Sequence, residues 1–163
     1  MAGFEKRPRG LTRVLVRAPT WLYRVHLGRL LGGRFVLLKH TGRRSSRERQ
    51  TVLEVVFHDL ASARVIVCSG WGERSDWYRN VMANPNITFE SNGISHCGVA
   101  HQLSVIDAAS VLELYGRRHP RAFAALAKRM LADPPTGDPE PLAMRLAADL
   151  PVVALVANDP RSP

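Results

Sequence analysis

Six short apolar runs, most of them joined by turns of only a few residues, constrain the fold of this chain more than any other feature. Two of the runs flank Asn92-Gly93, a dipeptide that favours the positive φ angles of a tight β-hairpin turn. Two others flank a longer loop that begins at Thr41-Gly42. The six predicted strands cover residues 35–39, 50–57, 64–69, 87–90, 94–103 and 151–157.

Helical patterns lie between and after these strands rather than alternating regularly with them. A Rossmann fold is therefore disfavoured, and the pattern predicts an α+β protein with a small antiparallel β-barrel or sheet and peripheral helices. The predicted elements are a helix over Asp76–Ala83 with Ser75 as N-cap, a helix from Asp107 to Tyr115 capped by Asp107, a helix from Pro120 to Leu131, and a loop or lid over Ala132–Pro141.

Length and composition indicate one globular domain. The chain has 163 residues, of which 45% are hydrophobic and 23% charged. We expect a single domain over residues 1–163, with a basic helical segment over 1–33 and a barrel core over 34–157. Arginines interrupt any apolar segment near the N-terminus, and only two cysteines, Cys68 and Cys97, are present. These features predict no signal peptide, free thiols and a cytoplasmic location.

The positive charge predicts an anionic partner. The formal net charge is +9, with 20 arginines and only 3 lysines. Excess charge is concentrated in residues 1–34 and in residues 43–49. Nucleic acid, a membrane surface or a ligand with phosphate or carboxylate groups would each satisfy such charge. The 43–49 segment has no aromatic residues to stack on bases, so we do not expect nucleic-acid binding.

The loop from Gly42 to Arg49 is a candidate anion-binding site. Glycine permits a tight turn in which backbone amides converge on an anion, and Arg44 and Arg49 can add bidentate contacts. Ser45 and Ser46 are further donors. A solvated hairpin loop remains the alternative from these residues alone.

The segment from Ser69 to Tyr78 is the second candidate. Gly70 and Gly72 allow the backbone to approach a planar ligand closely, and Trp71 and Trp77 can wall a ring. The alternative is that Trp77 and Tyr78 belong to the core face of a helix.

In combination, these motifs resemble the deazaflavin-dependent nitroreductase family, whose members use coenzyme F420 on a split β-barrel. The resemblance rests on Phe35-Val36-Leu37-Leu38, Thr41-Gly42-Arg43-Arg44-Ser45 with Arg49, Ser69-Gly70-Trp71-Gly72, Asp76-Trp77-Tyr78 with Asn80, Ala83-Asn84-Pro85 and Leu150-Pro151-Val152-Val153.

The resemblance implies a six-stranded, mainly antiparallel split β-barrel and F420 as the cofactor. It implies that Arg44, Ser45 and Arg49 bind the phosphate and polyglutamate tail, and that the Ser69–Gly72 loop and Trp77 border the deazaflavin. The candidate cofactor-binding residues are Arg43, Arg44, Ser45, Arg49, Ser69, Gly70, Trp71, Gly72, Trp77 and Asn80.

The implied activity is hydride transfer from the reduced cofactor to a small electron-poor acceptor such as a quinone, an activated alkene or a nitro compound. Nitroaromatic reduction is the least favoured of these, because the region around Tyr115 lacks the tyrosines of nitroimidazole-reducing members. Candidate proton donors are Ser69, Tyr115 and His119, each with a structural role as the favoured alternative. The alternative functions are an FMN-dependent split-barrel oxidoreductase and a non-catalytic carrier of deazaflavin or haem.

No metal site is predicted, because His96-Cys97 with His58 and His101 matches no zinc spacing. The basic, amphipathic N-terminal segment leaves two alternatives open. It packs on the barrel, or it lies on an anionic membrane and brings the protein to the inner membrane face. A homodimer is a further open expectation.

Overall fold

A computed structural model describes residues 33–131 and 139–158. The predicted basic segment over 1–33 lies outside these residues except for Gly33. The elements, in chain order, are β1 (Phe35–Thr41), β2 (Glu48–Asp59), β3 (Arg64–Cys68), a 3-10 turn (Gly72–Arg74), α1 (Asp76–Ala83), β4 (Asn86–Ser91), β5 (Ile94–Gln102), α2 (Val105–Arg118), α3 (Pro120–Met130), α4 (Pro139–Asp149) and β6 (Val152–Ala157).

The six strands close into a barrel in the order β1-β2-β3-β6-β5-β4, and every neighbouring pair is antiparallel. Closure occurs between β1 and β4, where Leu38 lies opposite Phe89. The predicted α+β class with a six-stranded antiparallel barrel is confirmed. Closure leaves no unpaired strand edge in the barrel.

Two apolar clusters hold the fold together. One fills the barrel and includes Val36, Leu38 and Phe89, together with Val81 of α1, which packs against the same cluster. The other joins the outer barrel surface to α2, α3 and α4. Strand β6 contributes to both, so residues of both its faces are buried. A continuous apolar run such as Val152–Ala157 is typical of a strand that is covered on both sides.

Several predicted elements are confirmed. Helix α1 has the predicted bounds, and Asn92 and Gly93 form the β4–β5 turn with φ angles of 53° and 78°. These positive angles explain why asparagine and glycine occupy the turn.

The helical predictions need three corrections. The cap of α2 is Ser104, whose hydroxyl accepts a bond from the Asp107 amide at 3.1 Å, so Asp107 lies inside the helix rather than capping it. Helix α2 continues beyond Tyr115 to Arg118. Helix α4 was not predicted, and it contains the last residues of the predicted 132–141 loop. Prolines in the first turn of a helix are tolerated because their missing N–H groups would have no helical partner there.

Candidate functional site

An open groove of about 560 Å³ lies between the loop after β1 and helix α1. The β1–β2 loop, which we call the arginine loop (residues 42–47), forms part of its wall, and Trp71 and α1 form another. The lining residues are His40, Gly42, Arg43, Arg44, Ser45, Arg49, Gln50, Thr51, Trp71, Ser75, Asp76, Trp77 and Asn80.

The arginine loop closes on itself through backbone hydrogen bonds. The Gly42 amide donates to the Arg47 carbonyl at 2.8 Å, and the amides of Ser45 and Ser46 donate to the Gly42 carbonyl at 3.2 Å and 2.8 Å. A Cβ at Gly42 would lie 2.7 Å from Ser45 Oγ and 3.3 Å from the Arg47 carbonyl oxygen, so a larger residue fits only if the Ser45 side chain moves. Because these amides are already paired, the expected convergence of backbone amides on an anion is not observed for them.

Arg44, Ser45 and Arg49, which the resemblance assigns to the cofactor tail, are exposed and line the groove. Arg49 Nη2 donates to Ser45 Oγ at 3.5 Å. Among the described residues, no carboxylate forms an ion pair with Arg44 or Arg49. Two unpaired guanidinium groups beside a hydroxyl fit the phosphate and carboxylate groups of a polyanionic cofactor tail.

Arg43 is bonded within the protein instead. Its backbone amide and its Nη1 donate to Oδ1 of Asn80 at 3.1 Å and 2.9 Å, and its Nη2 lies 3.2 Å from Asp76 Oδ1. These bonds attach the arginine loop to α1. Arg43 and Asn80, both predicted to bind the cofactor, line the groove, and the bonds between them join its two walls.

His40 is a groove residue that the sequence interpretation missed. Its side chain is buried, and its Nδ1 lies 3.3 Å from Asn80 Nδ2. Burial lowers the pKa of His40, the Arg49 charge lowers it further, and the Thr41 backbone carbonyl acts in the opposite direction. A signal was present in the sequence: His40 is the polar end of the alternating row Val36, Leu38, His40.

Trp71 and Trp77, the two tryptophans predicted to border the cofactor ring, both line the groove. Trp71 is 37% exposed, whereas Trp77 is buried in contact with the barrel core. Tyr78 faces away from the groove lining, and its hydroxyl donates to Gln102 at 2.7 Å. The aromatic wall of the groove is therefore Trp71 and Trp77, and Tyr78 is a core residue.

Ser69 lies beneath the loop that carries Trp71 and does not line the groove. It is fully buried, and its hydroxyl donates to the Gly72 carbonyl at 2.7 Å and lies 2.6 Å from Ser75 Oγ. Ser75, expected to cap α1 through its side chain, bonds Ser69 instead. Gly70 and Gly72 also lie outside the lining residues, and Gly72 has the positive φ of 61° that the turn requires. The hydrogen bonds of the loop from Ser69 to Ser75 therefore hold Trp71 in position.

Tyr115 and His119 line a different cavity, of about 360 Å³, which shares no lining residue with the groove. The Tyr115 hydroxyl donates to Glu54 Oε1 at 3.1 Å. Burial, together with the charge and hydrogen bond of Glu54, raises the pKa of Tyr115 to about 12. Within the described residues, the structure does not bring the three predicted proton donors, Ser69, Tyr115 and His119, to the groove.

Two further possibilities concern the described residues: a metal site and a membrane-spanning helix. No three histidine, cysteine, aspartate or glutamate side chains are grouped so that they could hold a metal ion. No helix among them is long and apolar enough to cross a membrane.

Comparison with protein families shows a match that covers most of the chain. The sequence model of the F420H2-dependent quinone reductases matches residues 15–130, which is more than half of the chain. No curated protein is similar enough to count as a relative.

Three solved structures with the same fold have low sequence identity to this chain. An F420-H2 dependent reductase (FDR-A) is 18% identical, with a TM-score of 0.53, over 75% of this chain and 93% of that one. An FMN-binding protein related to pyridoxamine 5'-phosphate oxidase from Nostoc punctiforme is 13% identical, with a TM-score of 0.54, over 95% and 83%. The haem storage protein HutZ from Vibrio cholerae is 12% identical, with a TM-score of 0.51, over 84% and 89%. At these identities the similarity establishes the split-barrel fold.

Proposed function

The chain belongs to the F420H2-dependent quinone reductase family, and from this premise we propose that it reduces a quinone or another electron-poor acceptor. It is an F420-dependent reductase, and its cofactor is coenzyme F420. The resemblance inferred from the arginine-loop and tryptophan motifs is confirmed. The acceptor and the roles of individual residues are part of the proposal.

One observation supports the proposal most strongly: cationic and aromatic walls share a single groove. Arg44 and Arg49 are unpaired with carboxylates among the described residues, and Trp71 and Trp77 line the same groove. The lining has three arginines and one carboxylate, so its net charge is positive. A cofactor with a planar ring and an anionic tail needs both kinds of surface.

Bound F420 in its reduced form supplies a hydride. The protein contributes binding and orientation. Arg44, Ser45 and Arg49 would hold the anionic tail, and Trp77, fixed by the core, would limit where the ring lies. The Arg43–Asn80 bonds would keep these surfaces at a constant separation.

We assign the acceptor to the side of the groove bordered by Trp71. Trp71 is 37% exposed and lines the groove, and an indole side chain suits contact with an apolar planar molecule such as a quinone. A quinone that accepts a hydride also takes up one proton to become the hydroquinone. Since Ser69, Tyr115 and His119 do not line the groove, we propose that this proton comes from water in the open groove rather than from those side chains.

The test is a fluorescence titration of the purified protein with F420 and, separately, with FMN, followed by an acceptor panel. We expect micromolar F420 binding, no FMN binding and faster oxidation of reduced F420 by menadione than by a nitroimidazole or an activated alkene. Binding of FMN alone would indicate the flavin-dependent alternative. F420 binding without turnover on any acceptor would indicate a carrier.

Two predictions about partners remain untested. The segment predicted to contact a membrane, residues 1–33, lies almost entirely outside the described residues. A homodimer also remains a prediction. Sedimentation of the purified protein, alone and with anionic vesicles, measures both.

A further inference from the structure

Ser69 closes the turn that carries Trp71. Its backbone carbonyl accepts a hydrogen bond from the Gly72 amide at 2.8 Å, and its hydroxyl donates to the Gly72 carbonyl at 2.7 Å. Gly70 and Trp71 are therefore the two central residues of a four-residue turn whose ends are joined by two hydrogen bonds. The chain leaves this turn at Gly72 with a φ of 61°, a backbone conformation that glycine adopts without strain.

The direction of the hydroxyl bonds follows from the donors that are available. The Gly72 carbonyl can only accept, so the single hydroxyl hydrogen of Ser69 is used there. The Ser75 hydroxyl lies 2.6 Å from the Ser69 hydroxyl, and it must then be the donor of that pair. A chain of hydrogen bonds therefore runs from Ser75 through Ser69 to Gly72, at the base of the turn that carries Trp71.

Ser69 also attaches this turn to the barrel. It directly follows β3, and its amide donates to the Pro151 carbonyl at 2.9 Å, just before β6 begins. The residue is fully buried, and its amide, carbonyl and hydroxyl all have partners within the protein. Breaking any of these bonds would leave a buried polar group unsatisfied, so the bonds hold the turn against the end of the barrel.

The burial of Trp71 differs from that of Ser69. Trp71 is 37% exposed and lines the groove, yet the turn that carries it is attached to the barrel through a residue with no exposed surface. A side chain or loop that is ordered only when a ligand binds adds an entropic cost to binding. A turn that is fixed in advance reduces this cost for a ligand that contacts Trp71.

We propose that Ser69 is a positioning residue for the acceptor, whose hydroxyl bonds to Gly72 and Ser75 keep Trp71 in the place where it contacts that molecule. This inference rests on the proposed function, which assigns the acceptor to the side of the groove bordered by Trp71. Ser69 itself does not line the groove, so its effect is exerted through the turn. The arginine loop is attached to α1 by separate bonds between Arg43 and Asn80, so F420 affinity should depend little on Ser69.

The position of Trp71 is tested on the protein without cofactor, by 19F NMR of protein labelled with fluorotryptophan. The chain has three tryptophans, and the Trp71 resonance is identified as the one that is lost in Trp71→Phe. In Ser69→Ala we expect this resonance to shift or broaden, because the turn loses both hydroxyl bonds. Ser91→Ala is the matched control, since Ser91 is also a buried serine and lines neither the groove nor the second cavity. A Trp71 resonance that is unchanged in Ser69→Ala, or that changes equally in Ser91→Ala, would overturn the proposal.

The effect on the acceptor is tested by steady-state kinetics with reduced F420 and menadione. Ser69→Ala should raise the KM for menadione roughly threefold to tenfold, the size of one neutral hydrogen bond, while kcat and F420 affinity stay within about twofold of the wild type. Ser69→Cys keeps the volume of the side chain and a weak donor, so its KM should lie between those of the wild type and Ser69→Ala. Ser91→Ala should have the KM of the wild type even where it lowers stability.

The outcomes separate the two proposals. Absence of F420 binding or of turnover in the wild type would overturn the proposed function and, with it, the role of Ser69 toward the acceptor. Turnover by the wild type with an equal KM for menadione in Ser69→Ala would overturn this inference alone, and so would a loss of F420 affinity as large as the rise in KM. If Ser69→Ala does not fold, a raised KM in Ser69→Cys supports the role, and a KM equal to that of the wild type overturns it.

Discussion

Arg43 donates to a single oxygen of Asn80 from two places, its backbone amide at 3.1 Å and its guanidinium at 2.9 Å. Asn80 is buried, and Arg43 loses the acceptor of both bonds if this side chain is removed. The pair joins the arginine loop to α1 and thereby sets the width of the groove.

Asn80→Ala should reduce the free energy of unfolding by about 1–3 kcal/mol, because it removes the acceptor of two part-buried hydrogen bonds from Arg43. It should also weaken F420 binding, since the loop loses its attachment to α1. Urea denaturation and fluorescence titration measure the two effects. Asn86→Ala, at an exposed position of β4, is the control. Equal stability of the two variants would show that the pair does not hold the walls together.

Arg44→Ala and Arg49→Ala should each weaken F420 binding by about 1.5–3 kcal/mol, the value of a lost charged hydrogen bond. Neither should change stability much, because both side chains are exposed. Arg47→Ala is a matched control, since Arg47 is exposed in the same loop but does not line the groove. Titration of the three variants at one salt concentration gives the comparison. Equal losses in all three would mean that only the overall charge matters.

The free energy of unfolding should fall as the pH decreases below 6.5. Burial lowers the pKa of both His40 and His58, so the unfolded chain binds protons there more readily than the folded one. By linkage, the two residues do not reduce stability above pH 6.5, and stability is lost as the pH falls toward their lowered pKa values. Urea denaturation as a function of pH measures this slope. His40→Gln cannot titrate and should have a shallower slope; an unchanged slope would exclude a contribution from His40.

Gly98→Ala should destabilise the protein by about 1–3 kcal/mol or more, because there is no space for a methyl group. A Cβ at Gly98 would overlap the Val156 carbonyl oxygen and lie 2.9 Å from its carbon, where β5 pairs with β6. The obstacle is backbone, which cannot rotate away as a side chain can. Gly70→Ala is the control, since a Cβ there would have no neighbour within 4 Å. Thermal denaturation of both variants decides the question, and a Gly98→Ala protein as stable as Gly70→Ala would refute the close approach.

Tyr115→Phe should leave the rate of acceptor reduction unchanged. The Tyr115 hydroxyl donates to Glu54 in a cavity apart from the groove, and a phenol with a pKa raised to about 12 is a poor acid near neutral pH. Steady-state kinetics across pH would show this. A fall in kcat that follows the acidic or basic limb of the profile would instead support Tyr115 as a proton donor.

Much of the fold follows from local signals in the sequence. The Asn92-Gly93 turn, the bounds of α1 and the position of the arginine loop depend on residues close together in the chain, so their patterns are readable. The continuous apolar run of β6 likewise indicated a strand. The order of the motifs indicated the family and hence F420.

The side-chain contacts within the site could not be predicted from local sequence patterns. Arg43 and Asn80 are 37 positions apart, and His40 and Asn80 are 40 apart. Ser69 looked like a groove residue, yet its hydroxyl is buried against Ser75. Tyr115 looked like a donor, yet α2 places it in another cavity.

The sequence by itself determined the strands and their turns, the concentration of arginine between β1 and β2, and the family. Each of these depends on residue types within a few positions of one another. Only the tertiary structure decided that the barrel closes between β1 and β4, that Arg43 is bonded to α1 whereas Arg44 and Arg49 line the groove, and that His40 lines it as well. The physical reason is that side-chain partners distant in sequence are chosen by barrel closure and helix packing, which no local pattern records.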